Sequence, residues 1–308
     1  MKNKHFIALA ALTAITALMA APVSAEESTL PTTDRAGNEI TVPEEISRVV
    51  CMAPSTAQVL EELGLTDLLV GIDYQTPLYV EGLDELPQFD MMAPDCEALL
   101  ALDPDIVLTT GMSNIGSDGP YAELVAAGIC VAEIPSSTSI ADIEEDIRFI
   151  GDCFGMHEEG AAIADEMQAS IDQVAAIGET ITEKKRVLFE IACLPDIYSF
   201  GSGVFLNEMI ELIGAENVFA DQESWLSVTE ESAIAANPDV ILTSVNYIEN
   251  PVAEILSRQG WENVTAVSEG QAYYIDNASS ALPNHHIVTA LEQMAAAVYP
   301  EEFTALAE

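Results

Sequence analysis

Two adjacent histidines, His285 and His286, stand at the end of a polar run, residues 277–286, just ahead of the last apolar-periodic segment. Neutral imidazole is the commonest metal ligand near pH 7, and Asp73, Tyr74, Glu190 or Tyr247 could complete a coordination sphere with carboxylate or phenolate oxygen. Neighbouring residues in extended or turn backbone point apart, so one imidazole per metal fits better than two. A histidine packed at a helix entry is the competing reading. Trp225, in SWLSVTEE, reads as a loop residue whose ring could stack on a flat ligand or pack within its own lobe. Trp261, in GWENVTAV, reads as structural, and His157 as a surface residue. Pro54, Ser55 and Thr56 sit where a helix should begin, so the hydroxyls can cap it or its N–H groups can meet a ligand oxygen.

The elements that must hold these groups follow from a phrase written twice. EALLALDPDIVLTT, residues 97–110, returns as ESAIAANPDVILTS, residues 231–244. In each copy helical spacing gives way, at Pro104 or Pro238, to an uninterrupted run of β-branched and Leu residues. Such a strand is apolar on both faces, as in a parallel sheet covered by helices. The expected fold is therefore α/β: two lobes of mostly parallel sheet covered by helices, with a ligand cleft between them. Residues 157–182 contain only Gly160 and Gly178 as breakers and read as one long connector helix. The division is a leader over 1–25, an N-terminal lobe over 26–156, the connector over 157–182 and a C-terminal lobe over 183–308.

In open α/β sheets ligands bind off the carboxyl ends of the strands. That selects Pro54, Ser55, Thr56, Asp73, Tyr74, Gly111, Met112, Ser113, Ser136 and Ser137 in the first lobe. In the second it selects Glu190, Tyr198, Ser202, Trp225, Asn246, Tyr247, Asn277, Ser279, Ser280, His285 and His286.

Residues 1–25 pair Lys2 and Lys4 with an apolar stretch and Val23-Ser24-Ala25, the pattern of a secretory signal peptide. No cysteine stands at that boundary to carry a lipid, so a soluble periplasmic protein without a lipid anchor is expected. The formal charge is −43, and −45 once the two leader lysines are gone. Charge of this sign excludes nucleic acid and anionic membranes as partners. The remaining cations, Arg35, Arg48, Arg148, Lys184, Lys185, Arg186 and Arg258, fall outside the expected cleft loops. A neutral or cationic ligand is therefore expected, since a polyanion needs arginine or lysine at its centre.

Five cysteines lack any C-x-x-C spacing, which argues against a zinc or iron–sulfur framework. Cys130 opens a strand and Cys153 closes the helix that runs back along it. Their proximity predicts a disulfide, against the alternative of buried thiols. The chain holds no G-x-S-x-G, P-loop, G-x-G-x-x-G or H-E-x-x-H, and enzymatic turnover is not expected.

With those phrases in place the chain resembles a known family. Asp34 with Gly37, RVVCMAPSTAQVLEELGL followed by VGID, the two Pro-Asp repeats, FLNEMIELIGAENVFA, GWENVTAV and ALEQMAAAVYPEEF are similar to the substrate-binding proteins of iron–siderophore and cobalamin ABC importers. The resemblance covers nearly all of the chain after its leader. It implies two α/β lobes, a helical connector, limited hinge closure and, as ligand, a metal chelate (iron–siderophore, haem or cobalamin-like) with no intrinsic cofactor. It also implies a monomer that hands its cargo to a permease and, through it, to an ATPase, with Glu97 and Glu211 docking on the permease. A receptor for a metal ion or small metal complex, held by His285 or His286 and carboxylates, is the alternative.

Overall fold

In a computed structural model the described residues are 30–113 and 119–304, so the leader lies outside them. The first lobe runs β1 (Val49–Cys51), α1 (Pro54–Glu62), β2 (Leu69–Asp73), β3 (Gln88–Phe89), α2 (Cys96–Ala101), β4 (Ile106–Thr110), α3 (Ala122–Ala126), β5 (Cys130–Ile134) and α4 (Ile140–Cys153). Its five strands are all parallel, in the order β3-β2-β1-β4-β5. After the connector α5 (His157–Gly178) come β6 (Arg186–Glu190), β7 (Ile197–Phe200), α6 (Phe205–Leu212), β8 (Glu216–Asn217), β9 (Trp225–Val228) and α7 (Glu230–Ala236). The chain then continues through β10 (Val240–Thr243), α8 (Pro251–Leu256), α9 (Thr265–Ser268), β11 (Ala272–Tyr274), α10 (Asn277–Ala281) and α11 (Ile287–Val298). Here the parallel order is β11-β10-β6-β8, and β7 pairs with β9 as a separate antiparallel ribbon.

The uninterrupted apolar runs are strands buried on both faces. Val49 and Cys51 enter one core while Val50 and Met52 enter another, and Val187 and Phe189 alternate with Leu188 in the same way. One of these cores continues from the first sheet through α4, α5 and α11 into the second, so the connector is welded to both lobes. Its two glycines do not break it. A Cβ at Gly160 would press on Gly151 of α4, and one at Gly178 would fall on the carbonyl oxygen of Leu212 at the end of α6. Both allow a neighbouring backbone to approach closely.

The repeated phrase is repeated in detail. α2 and α7 end at Asp103 (φ 49°) and Asn237 (φ 44°), left-handed residues followed by proline. Asp105 accepts the backbone N–H of Arg48 at 2.9 Å, as Asp239 accepts that of Arg186 at 2.8 Å. The guanidinium of Arg48 donates to the carbonyl of Leu102 at 2.8 Å, and that of Arg186 to Ala236 at 2.6 Å, so each arginine closes the C-terminus of its lobe's repeat helix. Scarce cations are spent on backbone carbonyls away from the cleft.

The expected disulfide is not formed. All five cysteines are free thiols, with Cys130 and Cys153 buried. They are close, as their strand and helix require, and burial chiefly, with Cys130 nearby, pushes the Cys153 thiol up. Trp225 begins β9 and is not a loop residue, and residues 277–281, expected as loop, form α10.

Candidate functional site

Between the lobes lies a cavity of about 500 Å³, within the range of small-molecule sites. The first lobe contributes Pro54, Ser55 and Thr56 at the start of α1, Met112 after β4, and Ser136 and Ser137 after β5. The second contributes Tyr198, Trp225 and Ser280. These nine of the expected residues are brought together.

The aromatic wall has a clear construction. β7 and β9 pair with Phe200 opposite Trp225, which sets Tyr198 and Trp225 as diagonal neighbours on one face of the ribbon. Their rings lie 6.4 Å apart with planes within 6° of parallel, and both remain about two-fifths exposed. Phe200 meets Trp225 edge-on at 6.0 Å and packs on Phe189 at 5.6 Å, which anchors the wall to the core. The first lobe adds Ile147 and Ile150 of α4, and Ile134 at the end of β5, to the lining. No lysine or arginine lines the cavity among the described residues. Among the described residues its one carboxylate is Asp146, which receives Arg35 Nε at 2.6 Å and the hydroxyl of Ser137 at 2.9 Å. Burial pushes this carboxyl up, against the pull of Arg35 and Ser137.

The other expected residues brace loops and do not line the cavity. Asp73 is fully buried and accepts the N–H groups of Gln75 and Met91. Tyr74 is exposed outside the cavity lining. Gly111 is where the turn after β4 crosses Pro135 and Ser136, and Ser113 donates to the Met91 carbonyl at 2.7 Å. Ser202 donates to Gln222 at 2.9 Å, Asn246 to Asn277 at 2.9 Å, and Ser279 to Asp276 at 2.9 Å. Tyr247 receives the N–H of Cys193 at 3.1 Å.

Glu190 does end β6, but as a structural anion. It is wholly buried and held bidentate by Arg258 at 2.6 and 2.8 Å, and Arg258 also reaches Glu254 and lies over the Trp261 ring. That arrangement removes it from metal coordination, and it confirms Trp261 as part of the core.

The histidines lie elsewhere too. Asn284, before them, donates to Gln58 at 2.7 Å, so this segment docks the entry of α11 on α1 of the other lobe. His285 and His286 stack at 4.0 Å, and both ring nitrogens of His285 are buried without a hydrogen-bond partner, Glu62 being 3.9 Å away. Burial, then His286, pulls the His285 pKa down to about 4. The packed helix-entry reading fits this geometry. Among the described residues no three of His, Cys, Asp and Glu converge to hold a metal ion.

Sequence reasoning passed over Asp146, Ile147, Ile150, Ile191, the start of α6 at residues 204–206, and Leu282 with Pro283. The strand-end rule points only to loops, whereas these residues come largely from the sides and entries of helices. One signal was present: Asp146 interrupts the helical stripe of Ile143, Ile147 and Ile150 with a carboxylate. The repeat pairs Glu97, exposed in the first turn of α2, with Glu231, exposed in the first turn of α7. Glu211 instead accepts from Asn207 at 2.8 Å on α6, bordering a groove beside α4 and α5.

With this geometry in view, comparison with known proteins is informative. The family model described as periplasmic binding protein matches residues 49–278. A Bacillus subtilis protein named an uncharacterized ABC transporter substrate-binding lipoprotein is 28% identical over 272 residues, 88% of this chain and 85% of that one. A cobalamin-binding protein of Halobacterium salinarum is 28% identical, covering 86% and 73% respectively. Among solved structures, the molybdate-bound Haemophilus influenzae molybdate-binding protein superposes with TM-score 0.78 at 22% identity, over 90% of this chain and 93% of that one. At that identity the superposition establishes the two-lobed fold.

Proposed function

The chain belongs to the periplasmic binding protein family, and from that premise we propose that it captures a flat, neutral or cationic metal chelate and delivers it to an ABC importer. The family and the relatives named for substrate binding support a receptor acting outside the cytoplasmic membrane, one that holds its cargo and performs no reaction on it. The observation that carries the choice of cargo is the cavity: an apolar slot with the parallel rings of Tyr198 and Trp225 on one side and no cation among its described lining residues. A planar macrocycle or chelate buries its faces there. An oxyanion would find no cationic side chain among the described lining residues. The metal is cargo inside the chelate, and His285 and His286 take no part in holding it.

Glu97 and Glu231 serve as the matched docking groups for the permease, one per lobe, carrying the negative charge that complementary basic side chains would meet.

Native mass spectrometry with metal analysis, on protein purified from its own cell envelope, tests the proposal. The expected result is an organic mass accompanied by a metal, lost in Trp225→Ala. A bare metal ion that disappears in His285→Ala would overturn it.

A further inference from the structure

Three of the hydroxyls that line the cavity are oriented, and their orientation discriminates between ligand edges. Ser137 donates its proton to Asp146, Thr138 donates to Asp142 at 2.8 Å, and Ser280 donates to the Asp276 carbonyl at 2.7 Å. A hydroxyl whose proton is committed in this way offers lone pairs outward. Asp146 is 5% exposed, and the guanidinium of Arg35 behind it is shared with Glu145 at 2.7 Å. Two carboxylates therefore face one arginine, and the cation is held away from the cavity lining. Around Ser137 and Thr138, beside Asp146, the lining accepts hydrogen bonds. At the start of α1, by contrast, no side chain caps the helix, and Pro54 is followed by the N–H groups of Ser55 and Thr56, which are donors beside the same cavity.

A site with an acceptor pole and a donor pole matches a group that carries both. A carboxamide does, through its N–H₂ and its C=O. A carboxylate satisfies only the donor pole and is repelled at the other.

We infer that Ser137, oriented by Asp146 and Arg35, is the specificity filter of this cavity, selecting macrocyclic chelates edged with carboxamides over those edged with carboxylates. The inference rests on the reading of the cavity as a chelate site, and it names the ligand class within that reading.

Absorbance titration of the purified chain, separately with dicyanocobinamide, an amide-edged corrinoid, and with haemin, a carboxylate-edged porphyrin, provides the test. The wild type should favour dicyanocobinamide by at least about tenfold, the worth of one hydrogen bond involving a charged group. Asp146→Asn should reduce that preference about tenfold by freeing the Arg35 charge and supplying an amide donor. Ser137→Ala, which leaves the Arg35 pair intact, should weaken dicyanocobinamide alone and provides the same test if Asp146→Asn fails to fold. Equal or tighter haemin binding by the wild type, or an unchanged preference in Ser137→Ala, overturns the filter and leaves the chelate reading standing. Binding of neither macrocycle overturns both.

Discussion

The two lobes end their equivalent first strands in opposite ways. β1 runs through Met52 and Ala53 directly into the uncapped start of α1, and its end opens into the cavity. β6 ends at Glu190, which is sealed by Arg258, and the chain leaves to build the β7–β9 ribbon before returning to the repeat. The first lobe therefore offers strand-end hydroxyls, while the second offers aromatic rings on an added ribbon. Duplication of the frame has not duplicated the site.

The sharpest way to break this comparison is to unseal β6. Arg258→Ala strands a wholly buried carboxylate, so denaturant unfolding should show a loss of about 3–5 kcal/mol. In the first lobe Arg35→Ala removes a partly exposed partner from Asp146, which is nearly buried but keeps the Ser137 hydroxyl, and should cost less, about 1–3 kcal/mol. Equal losses would mean that the two ion clusters do the same work.

Removing the ribbon's aromatic face comes next. Trp225→Ala should weaken chelate binding about 30-fold, the scale of an aromatic anchor, with unfolding stability nearly unchanged because the ring is about two-fifths exposed. A titration and a melt on the same preparation check both halves.

The contact between lobes sharpens the comparison through pH. The folded pKa of His285 lies near 4, below the ordinary 6.5 of the unfolded chain. Between those values the unfolded state binds the proton and the native state does not, so this contribution is present above pH 6.5 and lost as pH falls to about 4. Its size should be about 3 kcal/mol. His285→Asn should flatten that part of the stability profile.

The smallest effect on the isolated protein should come from Glu97→Ala combined with Glu231→Ala. Ligand affinity should be unchanged while uptake by intact cells falls, and a loss of affinity would contradict a docking role.

How much of this was legible in the sequence follows from which interactions are local. The buried strands, the connector and the frame of each lobe are written in periodicity and in the Pro-Asp phrase, because each depends on residues close together in the chain. The hydroxyl turns at residues 54–56 and 136–137 were legible for the same reason. Glu190 was located correctly at a strand end, but its partner is 68 residues away, and nothing local distinguishes a sealed carboxylate from an open one. Trp225 stands out by its ring but reads locally as loop, because the strand it pairs with lies on the other side of α6 in the chain. Asp146 faces the cavity only because α4 packs there, although its place in an isoleucine stripe was a visible sign. The histidines stand out by type, but the docking of their segment on α1 rests on Asn284 and Gln58, 226 residues apart.

The most direct measurement is a crystal structure of the protein loaded in its own envelope. The account predicts a flat chelate against Tyr198 and Trp225 with its edge toward Ser137. A ligand seated on His285 and His286, or in the groove beside α4, α5 and α6 with the cleft empty, would contradict it.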